Sequence, residues 1–180
     1  MTKTKKPLTI LPTNQLLQQI WDYIISRPNK KGETKKSRWE CLYLLCWKAG
    51  LRITEAISFD LNLEHQSLEY KGLYLLRGKR QKDRWVYVSL EVVKELKKRK
   101  WKPNTTNRIN FFYFLQQVKK ELDISEKTEL APHTLRRCFA TYNALNGMPL
   151  PVLQKVLGHA RISTTVLYIK DSDLIKFKPV

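Results

Sequence analysis

The chain has 180 residues, enough for one globular domain with a sizeable core, and its 42% of hydrophobic residues argues against a disordered chain. Its 34 Lys and Arg residues against 16 Asp and Glu residues give a formal net charge of +18, an excess typical of proteins that bind a polyanion such as nucleic acid. No apolar run reaches membrane-spanning length and the N-terminal apolar stretch is too short for a signal peptide, so we expect a soluble protein without membrane contact.

Three helices are predicted in the first third of the chain. Leucine and isoleucine residues recur at helical spacing over 13–27, where Thr13 or Asn14 is the expected N-cap. After a polar, basic loop, the apolar run 38–50 predicts a second helix that Gly50 closes in the left-handed conformation. The stretch TEAISF predicts a short third helix.

The pattern changes from Ser67 onward. Runs rich in β-branched and aromatic residues in SLEYKGLYLLRGKRQKDRWVYVSL are broken at Lys71-Gly72 and at GKRQKDR. These breaks predict a small antiparallel sheet of two or three strands with a basic hairpin tip.

Helical patterns return in the rest of the chain. Five helices are predicted, over 89–101, 106–122, 133–147, 151–158 and 163–172. Pro132 lies just before the third of these and Gly147 just past its end. Gly158 stops the fourth, and Ser163 is the expected N-cap of the fifth. The expected fold class is α+β, mainly helical, with one small antiparallel β-sheet.

The sequence contains no motif for metal or nucleophile chemistry of the kinds HExxH, Cys/His quartet, Walker loop or GxSxG. Its three cysteines, Cys41, Cys46 and Cys138, are unevenly spaced. They are predicted to be buried thiols, not a disulfide framework or a zinc site. No metal and no cofactor is therefore expected.

Four short stretches stand out as candidates for chemistry: AGLRITE, RGKRQKDRW, PHTLRRCFAT and LGHARISTTVLY. Their candidate residues are Arg52, Lys79, His133, Arg136, His159 and Tyr168. Each alone has a simpler explanation. Arg52 could cap carbonyls or pair with Glu55, and Lys79 could be a solvated charge at the hairpin tip. His133 and Arg136, three positions apart, fit an ordinary surface pair on a helix, and Tyr168 fits the core face of an amphipathic helix.

Together and in this order, the four stretches resemble the catalytic domain of the tyrosine recombinases, the phage integrase family. GLRITE is similar to the family's G-L-R-x-[ST]-E, HTLRRCFAT to H-x-L-R-H-[ST]-F-A-T, and LGHARISTTVLY to L-G-H-x-x-x-x-T-T-x-x-Y. The 26 positions from His133 to His159 and the nine from His159 to Tyr168 also match the family's pattern. The resemblance implies the fold of this family's catalytic domain.

The resemblance also implies a role for each candidate. Tyr168 attacks a DNA phosphodiester, forming a 3′-phosphotyrosyl bond and releasing a 5′-hydroxyl; a second strand's 5′-hydroxyl reverses the step without ATP or a metal. Arg52 and Arg136 stabilise the negative phosphorane, because a guanidinium is always charged and its fork matches two phosphate oxygens. His159 donates to a non-bridging oxygen, and His133 takes the phenol proton.

The hairpin carries the remaining roles that the resemblance implies. Lys79 is the candidate acid that protonates the departing 5′-oxygen. Arg80, Lys82 and Arg84 share the hairpin with it and, together with Arg137, are assigned to DNA contact. Arg80 stands where the family often has a glycine, and Arg137 stands where a second histidine is common.

The resemblance covers about residues 8–170, so we expect 1–180 to form a single tyrosine-recombinase catalytic domain with 171–180 as a short C-terminal tail. Typical members carry an N-terminal helical domain that clamps the far side of the DNA, whereas about a dozen residues precede the first predicted helix here. The chain is therefore expected to be a minimal member or a catalytic fragment. Its expected partners are double-stranded DNA, further copies of itself in a tetramer on paired sites, and an accessory DNA-binding protein, all in the cytoplasm.

Two other functions stay open at the level of sequence. A type IB topoisomerase shares the Arg/Lys/Arg/His/Tyr chemistry but relaxes DNA as a monomer. A non-catalytic DNA-binding regulator descended from a recombinase would be expected to lack one of the catalytic residues, and all six are present. The motifs therefore favour a site-specific recombinase or integrase.

Overall fold

The computed structural model of the chain describes residues 10–28, 36–77 and 83–166. Within these ranges the chain forms eight α-helices and one pair of β-strands. They follow one another as α1 (Asn14–Ser26), α2 (Lys36–Trp47), α3 (Ile53–Ile57), β1 (Leu73–Leu76), β2 (Arg84–Tyr87), α4 (Leu90–Lys98), α5 (Arg108–Glu121), α6 (Pro132–Leu145), α7 (Leu150–Leu157) and α8 (Ile162–Val166). The order confirms the predicted mainly helical α+β class. No helix within the described ranges is long and apolar enough to cross a membrane.

The first helix forms as its sequence predicts. The hydroxyl of Thr13 accepts a hydrogen bond from the backbone N–H of Leu16 at 3.1 Å, which confirms Thr13 as the N-cap. Leu17, Ile20 and Ile24, at helical spacing, are completely buried. This apolar stripe packs α1 against α2.

The second helix is the centre of the domain. Most of its side chains are buried, and it packs against α1, α3, α4, α5 and α6. A helix that is apolar on nearly all sides can only be stable when surrounded in this way. Tyr43 fits into this interior because its hydroxyl donates to the carbonyl of Leu17 at 2.8 Å. Cys41, Cys46 and Cys138 are buried and free, as predicted, and burial raises the pKa of Cys41 and of Cys46 to about 12.

The turn after α2 depends on Gly50. Gly50 has a φ of +64°, and the N–H of Leu51 donates to the carbonyl of Leu45 at 3.1 Å, as expected of a left-handed helix C-cap. A Cβ atom on Gly50 would lie 2.4 Å from the ring of Phe139 in α6. Conformation and close packing therefore both require glycine here, and the turn leads the chain directly to Arg52.

In the described residues the sheet has two strands, the smaller of the two predicted alternatives. Strands β1 and β2 are antiparallel, with Leu73 opposite Tyr87 and Leu76 opposite Arg84. The run SLEY would supply the third strand of the larger alternative, but Leu68–Tyr70 is a 3₁₀ turn. Leu68 is 86% exposed, so this segment has no apolar surface against which a strand would be stabilised. On the other side of β1, a single antiparallel bridge joins Tyr74 to Glu64 in the described residues.

The C-terminal helices match the predicted pattern with two corrections at their starts. Pro132 is the first residue of α6 and does not precede it, which suits a residue without an N–H to donate. Ser163 lies inside α8 and is not its N-cap, because α8 begins at Ile162 and Thr164 already donates to the carbonyl of Arg161 at 3.1 Å. The predicted continuation of this helix from residue 167 to 172 lies outside the described residues.

Helix α7 is held against α6 by a small apolar cluster of its own. Ala140 in α6 and Leu153 and Leu157 in α7 are completely buried in this cluster. Gly158 then ends α7 with a φ of +61°, as the sequence predicts. Because α6 also packs against α2, this contact brings the end of α7 to the end of α2.

Replacing Gly50 by alanine should destabilise the fold more than the same change at Gly147. Both glycines have positive φ, so each substitution costs about 1–2 kcal/mol in backbone conformation. Gly147 has open space around its Cα, whereas Gly50 faces Phe139, so Gly50→Ala adds a steric cost. Urea unfolding of the two variants measures the difference. Equal losses of unfolding free energy would show that the contact with Phe139 relaxes freely.

Candidate active site

Four of the six predicted catalytic residues meet at one place. Arg52 is the N-cap of α3, His133 and Arg136 lie in the first turns of α6, and His159 follows the end of α7. The ends of three helices therefore converge on one point, with their polar termini facing it. Lys79 and Tyr168, the other two, lie outside the described residues.

Arg136 is the most buried member of the cluster, with 1% of its side chain exposed. Its guanidinium donates to the carbonyl of Gly50 at 2.8 Å and to the carbonyl of Leu157. The nitrogen that donates to Leu157 also lies 3.2 Å from Nε2 of His159. Arg136 thus ties the turn after α2 to the end of α7, and the position of its guanidinium is fixed from both sides.

Arg52 is held at one side and open at the other. One nitrogen of its guanidinium donates to Glu55 at 2.7 Å, and the other donates to the carbonyl of Gly158 at 3.0 Å. Its side chain is nevertheless 42% exposed. A planar guanidinium has five N–H donors, so Arg52 can present a fixed and partly accessible charge to an anion.

Glu55 is the common partner of the arginines. Its carboxylate accepts from the backbone N–H and the guanidinium of Arg52, from Arg84 at 3.0 Å, and from Arg136 at 3.5 Å. Burial alone would raise the pKa of this carboxyl, but Arg84 and the two groups of Arg52 outweigh it and leave the pKa below its usual range. Glu55 is therefore ionised at neutral pH and partly balances three cations.

Arg84 joins the cluster from the sheet. Its guanidinium donates to the carbonyl of Val156 at 2.8 Å as well as to Glu55. Its side chain also crosses directly over Gly158, where a Cβ atom would lie 2.5 Å from Nε. The last carbonyls of α7 and its cap are thus each bound by a different arginine: Val156 by Arg84, Leu157 by Arg136 and Gly158 by Arg52. The C-terminal end of a helix dipole favours such cations.

His159 is buried and neutral. Nδ1 of its ring lies 3.0 Å from the hydroxyl of Thr165 in α8. Burial and then the nearby charges of Arg136, Arg52 and Arg84 lower its pKa to about 4. Because a guanidinium can only donate, Nε2 accepts from Arg136 in this arrangement, and Nδ1 carries the ring proton toward Thr165.

His133 and Arg137 lie at the edge of the cluster. His133 is exposed, and partial burial followed by the charge of Arg136 lowers the pKa of its ring. It is therefore largely unprotonated at neutral pH and able to accept a proton. Arg137 pairs with Glu129 at 3.1 Å. Among the residues predicted to contact DNA, Arg84 and Arg137 are described, whereas Arg80 and Lys82 are not.

Two residues of the cluster were not among those selected from the sequence. Glu55 was considered only as a partner of Arg52, although it ends the GLRITE motif, and Thr165 is the second threonine of the STT run. The described part of the chain has no group of three or more His, Cys, Asp or Glu residues placed to hold a metal. The cluster has three guanidinium groups, one carboxylate and two neutral imidazoles, an arrangement suited to binding an anion.

His159 should make the stability of the protein depend on pH between about 4 and 6.5. Its pKa is about 4 in the folded chain and about 6.5 when unfolded, so the unfolded chain takes up a proton first as the pH falls. The free energy of unfolding should therefore decrease as the pH falls through this window, and less steeply in His159→Gln. Urea unfolding at pH 7, 5.5 and 4.5 measures the slopes. His65→Gln, outside the cluster, is the control, and an unchanged slope in His159→Gln would contradict the assignment.

A model of the phage integrase family matches residues 13–174 of the chain. Tyrosine recombinase XerD of Halalkalibacterium halodurans is 34% identical to it over 143 residues, which are 69% of this chain and 46% of that protein. The chain spans about half the length of the curated relatives it matches.

Solved structures show the same fold. The crystal structure of XerA recombinase has a TM-score of 0.73 at 20% identity, covering 96% of this chain and 65% of that one. The XerH site-specific recombinase in a post-cleavage complex with palindromic difH substrate has a TM-score of 0.71 at 19% identity, covering 89% of this chain and 49% of that one. The chain therefore belongs to the phage integrase family of tyrosine recombinases.

Proposed function

We propose that residues 1–180 act as a single catalytic domain of a site-specific DNA recombinase or integrase, which cuts and rejoins DNA strands through a 3′-phosphotyrosyl intermediate. The observation that carries this proposal is the cluster of Arg52 and Arg136, fixed by the ends of α2 and α7 beside two neutral histidines. XerH, a recombinase of similar fold, is bound to its difH substrate in a post-cleavage complex, and this supports DNA as the substrate of the chain.

Arg52 and Arg136 are proposed to have different roles toward the phosphate. In the pentavalent transition state the phosphorus carries extra negative charge on its non-bridging oxygens, and fixed donors aimed at that charge lower the barrier. Arg52, with its half-exposed side chain, is placed to meet the phosphate directly. Arg136 is held by two carbonyls, so its charge needs no reorganisation when the reaction proceeds. Loss of one such donor costs about 10²–10³ in rate.

The histidines suit proton transfer and donation. His133 has a lowered pKa and an exposed ring, so it can accept the proton of the attacking phenol, whose ordinary pKa is about 10. For His159 to donate to a phosphate oxygen, its proton must sit on Nε2. The hydroxyl of Thr165 can donate to Nδ1 and so stabilise that tautomer once a phosphate oxygen replaces Arg136 as the partner of Nε2.

Tyr168 and Lys79 complete the proposed reaction by resemblance to the family. Tyr168 follows Thr165 by three residues, and Thr165 contacts His159. The phenolic oxygen of Tyr168 attacks phosphorus, the bond from phosphorus to the 5′-oxygen breaks, and Lys79 gives that oxygen its proton. Attack by a 5′-hydroxyl then reverses these steps and releases the tyrosine, so the ester bond conserves the energy.

The described DNA-contact candidates have protein partners as well. Arg84 binds Glu55 and Val156, which supports a role in holding the site together. Its proposed contact with DNA, and that of Arg137, would use donors beyond these bonds. Arg80 and Lys82 are proposed to contact the DNA backbone because they share the basic stretch GKRQKDR with Lys79.

The proposed partners follow from the chemistry. Rejoining to a new strand requires two duplexes side by side, so we infer a tetramer of this chain on paired sites of double-stranded DNA. The formal charge of +18 supports strong, salt-dependent attraction to the phosphate backbone, which carries no sequence information. An accessory DNA-binding protein is proposed to add sequence choice, and the assembly would be associated with DNA in the cytoplasm.

Tyr168→Phe should abolish a covalent DNA–protein adduct. The wild-type chain, incubated with a nicked suicide substrate, is expected to form an adduct that survives SDS, because the lost 5′ fragment cannot reverse the step. Phenylalanine keeps the ring but has no nucleophile. Tyr142→Phe is the matched control, since the hydroxyl of Tyr142 donates to the carbonyl of Pro12 at 2.9 Å. An adduct that persists in Tyr168→Phe, or maps to Tyr142, would refute the assignment.

The same substrates separate the proposed function from its alternatives. Transfer of the trapped strand to a second duplex indicates a recombinase. Relaxation of supercoiled DNA without strand transfer would instead indicate a topoisomerase, and binding without any adduct would indicate a regulator.

Lys79→Ala should fail on normal DNA and recover on DNA with sulfur in place of the 5′-bridging oxygen. A thiolate leaves without protonation, so a general acid is needed only for the oxygen substrate. Adduct formation on both substrates is compared for Lys79→Ala and for Lys82→Ala, which removes a neighbouring charge. Equal defects of Lys79→Ala on both substrates would move the acid to another residue.

A further inference from the structure

We propose that a basic pocket at the N-terminal end of α2, remote from the catalytic cluster, binds a second phosphate of the DNA backbone. This inference rests on the proposed function, because the phosphate is taken to belong to the same DNA. The pocket would fix where the duplex lies on the domain while the cluster acts on the scissile phosphate.

The pocket lies between the first turn of α2 and the loop from α4 to α5, and it has a volume of about 120 Å³. Its lining residues are Ser37, Arg38, Lys100, Trp101, Lys102 and Thr105. Three of the six are cationic, two offer hydroxyl groups and none is a carboxylate. The volume equals the share of about four waters in the liquid, which is enough for one phosphate group.

Arg38 is the residue that points to an anion. Its guanidinium stacks on the ring of Trp39, 4.3 Å from the centroid, which holds its plane in place. One terminal nitrogen donates to the carbonyl of Thr105 at a long 3.4 Å. The Nε atom is buried and has no hydrogen-bond acceptor among the residues that the structure describes. A guanidinium with unused donors in one plane is suited to two oxygens of a phosphate.

The other wall of the pocket is fixed to the rest of the domain. The indole N–H of Trp101 donates to the carbonyl of Phe59 at 2.8 Å, and the N–H of Asn104 donates to the carbonyl of Ile57 at 2.8 Å. Ile57 is the last residue of α3 and Phe59 lies two residues beyond it, and the N-cap of the same helix is Arg52. The loop that carries Lys100 and Lys102 is thus anchored beside the helix that starts at the catalytic cluster.

The distance between the pocket and the catalytic cluster suits a role in positioning DNA. Helix α2 begins at the pocket and ends at Trp47, three residues before Gly50, whose carbonyl accepts from Arg136. Twelve residues at 1.5 Å each place the two ends of α2 about 18 Å apart. Phosphates on one strand advance about 3.4 Å along the duplex axis, so this distance spans several base pairs. A phosphate in the pocket is therefore distinct from the scissile one and from its neighbours.

A backbone phosphate suits the pocket better than a free anion. Lys100 and Lys102 are exposed, so the pocket opens to solvent and leaves room for a chain that enters and leaves. It also shares the chain with a catalytic cluster built for phosphate, on a domain with a formal net charge of +18. Two phosphates of one duplex held at separate points fix its orientation as well as its position.

Methylphosphonate scanning tests the proposal. Single phosphates along the site are replaced by neutral methylphosphonates, and the affinity of each DNA is measured for the wild-type chain, Arg38→Ala and Lys102→Ala. One or two positions, several nucleotides from the scissile phosphate, should weaken wild-type binding about tenfold. The same positions should have little further effect in Arg38→Ala, since the contact is already lost. The salt slope of that variant should be shallower by about one.

Lys120→Ala is the matched control, because it removes one exposed positive charge at the far end of α5. It should keep the full methylphosphonate effect. Lys102→Ala, whose exposed side chain lines the pocket without being part of the core, keeps the test valid if Arg38→Ala does not fold. If every position weakens both pocket variants as much as the wild type, the proposal is wrong.

Two further outcomes are told apart in the same series. Inorganic phosphate is also titrated without DNA. If it binds the wild type but not Arg38→Ala, and no methylphosphonate position is coupled to the pocket, the pocket is a small-anion site and the DNA assignment is overturned. Adduct formation by the wild type on the suicide substrate is followed in parallel. Its failure would count against the proposed function, whereas normal adducts without any coupled position would count against the pocket alone.

Discussion

The cluster depends on one half-buried carboxylate. Glu55 is the negative charge that lets Arg52, Arg84 and Arg136 lie together, with three guanidinium groups within hydrogen-bonding distance of its two oxygens. Without it, three cations would face one another in a partly buried space, where charge repulsion is weakly screened. One carboxylate against three guanidinium groups still leaves a positive excess. That excess suits the binding of an anion, as the proposed reaction at a phosphate requires.

Carbonyl groups at the end of α7 supply the rest of the order. A helix leaves its last carbonyls without partners, and here Val156, Leu157 and the cap residue Gly158 each accept from a different arginine. The arginines thereby satisfy the helix end while the helix end fixes the arginines. Gly158 makes this geometry possible, because it takes the left-handed conformation and leaves room for the side chain of Arg84. The fold and the site are stabilised by the same contacts.

Local patterns in the sequence predicted the helices and four residues of the candidate site, but they could not predict the long-range contacts. Periodicity and caps placed α1 with Thr13, and motif order placed Arg52, Arg136 and His159 in one site. Of the two or three strands predicted from Ser67 onward, the described residues form two, because propensity does not report whether an apolar face exists to cover a third. Arg84 was assigned to DNA from its place on a hairpin, and its bonds to Glu55 and Val156 join residues 29 and 72 positions apart.

The burial of Arg136 and the exposure of Arg52 explain how a rigid cluster can still offer a donor to an anion. Arg136, almost completely buried, is bound by carbonyls from two separate helix ends and so links the parts of the chain that must stay in register. Arg52, bound by Glu55 and by the carbonyl of Gly158, is far more exposed. A phosphate therefore meets a donor whose position is already set. The cost of ordering that charge is met when the chain folds, so in the proposed reaction no binding energy is needed to order it.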